Sequence, residues 1–255
     1  MSTGQQLIDI MREDYLSDTF DGIDTATPAE IAENALWTDT QLLRYLTEAQ
    51  EEVCLRTRAF ASDTMTIALA DATQSYTIDP KIIQLHRLYF NKKEYEHTSR
   101  TMMDVNAPQW KESPESGLRD NEVFFFIRGR KLTLSRVPDT VDIGIAPTLE
   151  LEVYRLPINE VTVGAELEIP TQMHKNVIWY ALHLAYLKHD ADTYDPKRSD
   201  QYLLKFERAF GPKVDHRTLM HQLETPRRNG RLSPASYTKS MRKDTGTDAD
   251  WDETW

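Results

Sequence analysis

At 255 residues and 40% hydrophobic side chains, the chain is long enough to bury a real core as one large domain or a domain with appendages. Its formal charge of -11 makes the body a poor general binder of nucleic acid, since phosphate contact needs clustered Lys and Arg. The longest notable apolar run, 177–187, is interrupted by Trp179, Tyr180 and His183 and falls far short of the ~20 residues that span a bilayer, so no membrane partner is expected. A single cysteine, Cys54, excludes an internal disulfide, and the first fifteen residues lack the basic and apolar regions of a signal peptide. The charge is uneven. Residues 1–52 are strongly acidic, with Arg12 and Arg44 their basic residues, whereas 213–243 carries eight Lys or Arg against Asp215 and Glu224, and the last twelve residues turn acidic again.

In chain order, residues 5–15 predict a short helix with Leu7, Ile10, Met11 and Tyr15 or Leu16 on one side. Residues 17–34, with Gly22 and Pro28, read as a loop with room for a helical turn at 28–34. The stretch LWTDTQLLRYLTEAQEEVC (36–54) carries the fullest set of helix-start signals. With Thr38 as N-cap, Gln41 falls at the third helical position of a capping box, and Trp37 and Leu42 stand at the ends of a hydrophobic staple. Leu42, Tyr45 or Leu46, Ala49 and Val53 recur at spacings of three and four, giving a helix near 38–59 with one buried stripe. Glu52 and Arg56 face each other one turn apart, and Cys54 reads as a small buried hydrophobe.

Beyond this helix the period changes from about 3.6 to 2. Met65, Ile67 and Leu69 alternate with polar or small residues, and further strands are predicted at 76–78, 83–90, 94–97, 122–127, 131–136 and 149–155. The Phe-rich strand at 122–127 suits burial on both faces, while in 131–136 Leu132 and Leu134 alternate with Thr133 and Ser135. Residues 98–121 read as a long excursion with a mobile tip and one helical turn near 102–105. Ile169-Pro170-Thr171 closes the β-region and caps a long helix near 171–190, and Asp195-Pro196 starts another near 196–210, ended by Gly211-Pro212. From 212 onward, repeated Pro and Gly and few large aliphatics predict an extended or disordered charged tail.

No Gly-rich phosphate loop, His-Glu-x-x-His motif or nucleophile elbow occurs, so neither a cofactor, a metal nor catalysis has a local signature. His183 and His189 stand six apart, on opposite sides of a helix, and the Asp-rich run 190–195 has Tyr194 where a calcium loop needs its third oxygen ligand. His174 reads as a hydrogen-bonding residue in the strand-to-helix corner. Trp110, Trp179, Phe124, Phe125 and Phe126 read as core aromatics, since no basic stripe interleaves with them.

The order of these features resembles the head-to-tail connector or adaptor proteins of tailed bacteriophages. LWTDTQLLRYLTEAQEEVCLRTR (36–58) is similar to that family's Trp-Ser/Thr-Asp opening and its Leu-x-x-Tyr helix; YTIDPKIIQLHRLYF (76–90), LTLSRVPD (132–139) and LELEVYRLP (149–157) are similar to its strands. EIPTQMHKNVIWYALHLAY (168–186) resembles its Ile-Pro-x-x-x-His helix start, and Thr47 stands where Asn is common. The resemblance implies an α+β fold in which a helical bundle carries an inserted, mostly antiparallel β-domain: 1–62 and 170–211 in the bundle, 63–169 the β-domain, and 212–255 the tail. It implies a non-enzymatic virion protein made in the host cytoplasm. It would form a dodecameric ring beneath the portal protein, extend the DNA channel without binding DNA specifically, and offer tail or nozzle proteins an attachment site in the neck.

Within that reading, Arg227, Arg228, Arg231, Lys239, Arg242 and Lys243 are candidates for portal contact, while Trp37, Thr38, Gln41, Leu42, Pro170 and His174 are structural. Two rival classes are a nucleic-acid-binding module that uses the basic tail, marked by salt-sensitive affinity for DNA, and an enzyme of unrecognised type, marked by a pocket with convergent polar groups.

Overall fold

Both N-terminal helices begin on reciprocal caps. In the computed structural model, which describes residues 2–16, 36–60, 63–118, 123–189 and 193–225, Thr3 caps α1 (Gly4–Ile10) with Gln6 in return, and Thr38 caps α2 (Asp39–Thr57) with Gln41 in return. The first helix continues without a break into a π-helical turn, Met11–Leu16. Gly4 has a positional reason: a Cβ there would stand 2.3 Å from the Thr162 carbonyl oxygen, so only glycine lets α1 lie against the 158–168 loop. Two further helices, α5 (Thr171–Tyr186) and α6 (Pro196–Phe210), complete the helical layer. Leu7, Ile8, Met11, Leu42, Leu46, Val53, Val177, Leu182 and Phe206 share its core, each at most 1% exposed. The last turns are shorter than expected: α2 stops where Arg58 takes up a left-handed conformation (φ 54), and α5 stops at Tyr186, whose carbonyl oxygen accepts from the Asp195 N–H.

Seven strands form one sheet: β1 (Asp63–Ala68), β2 (Ser75–Thr77), β3 (Ile82–Phe90), β4 (Lys93–His97), β5 (Phe124–Arg128), β6 (Lys131–Leu134) and β7 (Thr148–Arg155). Their spatial order is β1-β7-β3-β4-β5-β6-β2, and every neighbouring pair is antiparallel except β4 and β5. Leu149, Leu151 and Val153 point inward from β7 at 0% exposure, and one apolar cluster gathers side chains from strands across the sheet. The molecule is therefore α+β, with a helical layer and a mostly antiparallel sheet.

One expectation for the β-region needs correction. In β6 and the residue after it, Leu132, Thr133, Leu134 and Ser135 are all buried, because Thr133 shares a hydrogen bond with Ser75 (3.1 Å) and Ser135 accepts from the Phe124 N–H (2.9 Å). Alternation fails where polar side chains find partners inside. The 98–121 excursion carries its expected helical turn. It contains α3 (Arg100–Asn106), and Met103 and Trp110 bury against Phe126, while Trp110 donates to Asp104 (2.9 Å). A further short helix, α4 (Thr140–Ile145), starts on an Asp139/Asp142 capping box.

The tail expectation is overturned over its first part. Residues 216–224 form α7 (His216–Glu224), capped by Asp215. Leu219 packs on the helical core and Leu223, 2% exposed, on the sheet core. A short helix with few aliphatics holds here because two preformed surfaces receive it. The predicted turn at 28–34 and the remainder of the tail, 226–255, lie outside the described residues.

Candidate functional site

The helix opening at 36–42 is part of the interior. Trp37, 2% exposed, donates its indole N–H to the Ala185 carbonyl oxygen at 3.0 Å and meets Tyr186 edge-on, so the staple that starts α2 also ties it to the end of α5. Thr38 accepts from the Gln41 N–H at 3.3 Å, Gln41 accepts from the Thr38 N–H at 3.2 Å, and Leu42 is fully buried. Arg12 reaches back to the Trp37 carbonyl oxygen (2.7 Å) and Asp39 (2.8 Å), locking α1 to the same corner. At the start of α5, Pro170 occupies the N-cap position without a side-chain bond. His174, 3% exposed, accepts at Nδ1 from the Ser2 N–H (3.3 Å), which leaves Nε2 to donate to the Ile169 carbonyl oxygen at 2.8 Å.

Where the two layers meet, a polar cluster does the joining. Arg155, at the end of β7, is 9% exposed. It bonds Asp63 at the start of β1, Glu168 (2.9 Å) before α5 and the Leu156 carbonyl oxygen (2.9 Å), and its guanidinium lies 4.4 Å from the Phe60 ring centre. Such a multiply bonded, stacked guanidinium is arginine's particular chemistry. Burial works against the charged form of Glu168, but the Asn159 N–H, the Arg155 guanidinium and the Ile158 N–H outweigh it and hold the carboxyl below its ordinary range. Gln50 of α2, 1% exposed, accepts from the Glu168 N–H (2.9 Å), which joins the cluster to the helical layer.

A second buried guanidinium ties α2 to the end of α6. Arg56 pairs with Glu52 (2.8 Å), donates to the Gly211 carbonyl oxygen (2.6 Å) and covers Phe206. The spacing of Glu52 and Arg56 was legible in the sequence; their burial was not. The α7 helix is the third tie: Arg58 donates to Gln222 (2.6 Å), and the Gly129 N–H of the β5–β6 turn donates to Glu224 (2.6 Å). Arg155 and α7 are the residues that pattern reading missed, and the late Leu219 and Leu223 pair, four apart behind an Asp cap, was the available signal.

These contacts hold one body together rather than present a reactive group. Burial pushes the Cys54 thiol up to about 12, far from a thiolate nucleophile. His183 is held by Ser199 and so links α5 to α6. Among the described residues, no three His, Cys, Asp or Glu side chains gather where they could hold a metal ion, and no helix is long and apolar enough to cross a membrane. Met102 and Val105 on α3, and Val141 and Ile145 on α4, stand at least half exposed. Arg227, Arg228, Arg231, Lys239, Arg242 and Lys243 lie outside the described residues.

Comparison with curated proteins returned no match. A protein-family comparison did: residues 4–231 match the SU10 adaptor protein family, a span that takes in both layers, α7 and the first arginines beyond it. With nearly the whole chain matched, and with an interior devoted to holding a helical layer against a sheet, the chain belongs to the SU10 adaptor protein family, consistent with a bacteriophage head-to-tail adaptor and a structural role.

Proposed function

We propose that the chain is the neck adaptor of a tailed bacteriophage, docking beneath the portal as one of twelve copies in a ring. The ring would lengthen the DNA channel and offer tail or nozzle proteins their attachment site. The observation that carries this reading is the family match over residues 4–231. Two joints between the layers, at Arg155 and α7, and the Arg56 tie within the helical layer suit a part that must transmit load without opening. The formal charge of -11 suits a channel that passes DNA without gripping it.

Portal contact is assigned to the basic segment after α7, through Arg227, Arg228, Arg231, Lys239, Arg242 and Lys243. The test is a chain ending at Thr225, which keeps α7; ending at Gly211 would remove a structural tie and confuse folding with docking. Capture on immobilised cognate portal is expected to fall at least about tenfold for the chain ending at Thr225, the loss that removal of a few interfacial charge contacts produces. Undiminished capture would overturn the assignment of the segment.

A further inference from the structure

We propose that the β5–β6 turn is the centre of a basic contact that seats on an acidic flank of a second copy of this chain. Arg128 and Lys131 are direct cross-strand partners closing the turn, and both are exposed. Like charges directly opposite one another destabilise a sheet. Among the described residues, neither side chain has an ion pair or hydrogen bond to relieve that repulsion. Glu224 brings one carboxylate to the Gly129 N–H of the turn, and acids brought by a partner would add to the relief.

The surroundings enlarge the contact. Arg130 is held in place by the carbonyl oxygens of Asp79 (3.0 Å) and Ile82 (3.2 Å). Glu224 accepts from the Gly129 N–H, so the end of α7 lies at the turn.

The matching surface is the loop before α5. A cavity of about 310 Å³ there is lined by Gln50, Glu160, Glu166 and Glu168 among others. Arg155 engages Glu168, but Glu160 and Glu166 are exposed and have no ion pair among the described residues. Beside them burial raises the pKa of Glu51, with Lys81 opposing and Glu48 and Glu160 adding smaller upward shifts.

A basic turn on one copy against an acidic loop on the next is a heterologous contact, the kind that closes into a ring when its rotation allows. The inference thus rests on, and deepens, the ring reading above. Nucleic acid is the poorer occupant, since three turn cations on a chain of charge -11 fall short of the roughly 6–10 phosphate contacts of a duplex binder.

The test is sedimentation of the full chain over a concentration series at about 0.05 M and about 0.5 M salt, where screening differs severalfold. Association is expected at low salt and weaker at high salt. Arg128→Glu with Lys131→Glu, and separately Glu160→Lys with Glu166→Lys, should each weaken it at least about tenfold. A chain carrying all four reversals should regain it. A wild type that stays monomeric throughout, reversals without effect, or no recovery in the fourfold variant would overturn the contact. So would binding of a labelled DNA duplex that Arg128→Glu with Lys131→Glu abolishes while self-association stays intact. Portal capture of the same variants is scored separately: subunits that still dock but no longer self-associate leave the docking reading standing, and self-association without docking leaves this contact standing.

Discussion

Helices α2 and α7 start on similar side-chain caps but are stabilised differently. The 19-residue α2 has a capping box, a staple and a stripe of fully buried Leu42, Leu46, Ala49 and Val53, so its own sequence nearly specifies it. The nine-residue α7 buries Leu223 alone and is shorter than the ~12–15 residues at which an isolated helix becomes even marginal. It exists because the helical core receives Leu219 and the sheet core receives Leu223. Local signals build the first helix; the assembled body builds the second.

That contrast can be broken by removing the same atoms from each helix. Leu46→Ala should cost about 3–4 kcal/mol of unfolding free energy in denaturant titrations, because Leu46 is fully buried in a closed core. Arg155→Ala should follow at about 3 kcal/mol, since it takes the guanidinium from both Asp63 and Glu168 and leaves Glu168 only its Ile158 and Asn159 bonds. Leu223→Ala should cost about 2 kcal/mol, felt first as faster amide exchange in α7 and β3. A Leu223→Ala penalty equal to that of Leu46→Ala would erase the distinction between the helices.

Smaller effects sharpen the same comparison. Thr38→Ala should cost about 1 kcal/mol globally, whereas Asp215→Ala, at a helix held by tertiary contacts, should cost about 0.5 kcal/mol and appear as local exchange in α7. The sheet should show a pH response of its own. His97 stacks on Phe125 with ring centres 4.7 Å apart, and burial lowers its pKa to about 4 from an ordinary 6.5. Between these values the unfolded chain binds a proton that the folded chain refuses, so stability should fall as pH drops from 6.5 towards 4. His97→Phe should flatten that part of the stability curve; an unchanged slope would remove His97 from the account.

Legibility divided along the same line. Thr38, Gln41, Asp195 and Pro196 announced their helices through bonds made within four residues, and the period-2 pattern of β7 matched its inward Leu149, Leu151 and Val153. Burial that depends on distant partners gave no such notice. Thr133 and Ser135 looked solvent-facing until Ser75 and Phe124 satisfied them, and Arg155 looked like an ordinary strand end until Asp63 and Glu168 converged on it. Trp37 belongs with the legible residues, yet its indole bond to Ala185 makes it a poor docking probe, since its loss disturbs the fold first. Of the candidate partner residues, the basic segment was visible as composition and the turn at 128–131 as a break between strands; that Arg128 and Lys131 stand directly opposite needed the register of β5 and β6.

The most direct test of the adaptor reading is electron microscopy of the full-length chain mixed with its cognate portal. The account predicts a ring of twelve copies on the tail-facing side of the portal, coaxial with its channel, as expected of a closed homo-oligomer. Portal particles left bare, with the chain free in solution or bound to DNA instead, would contradict it.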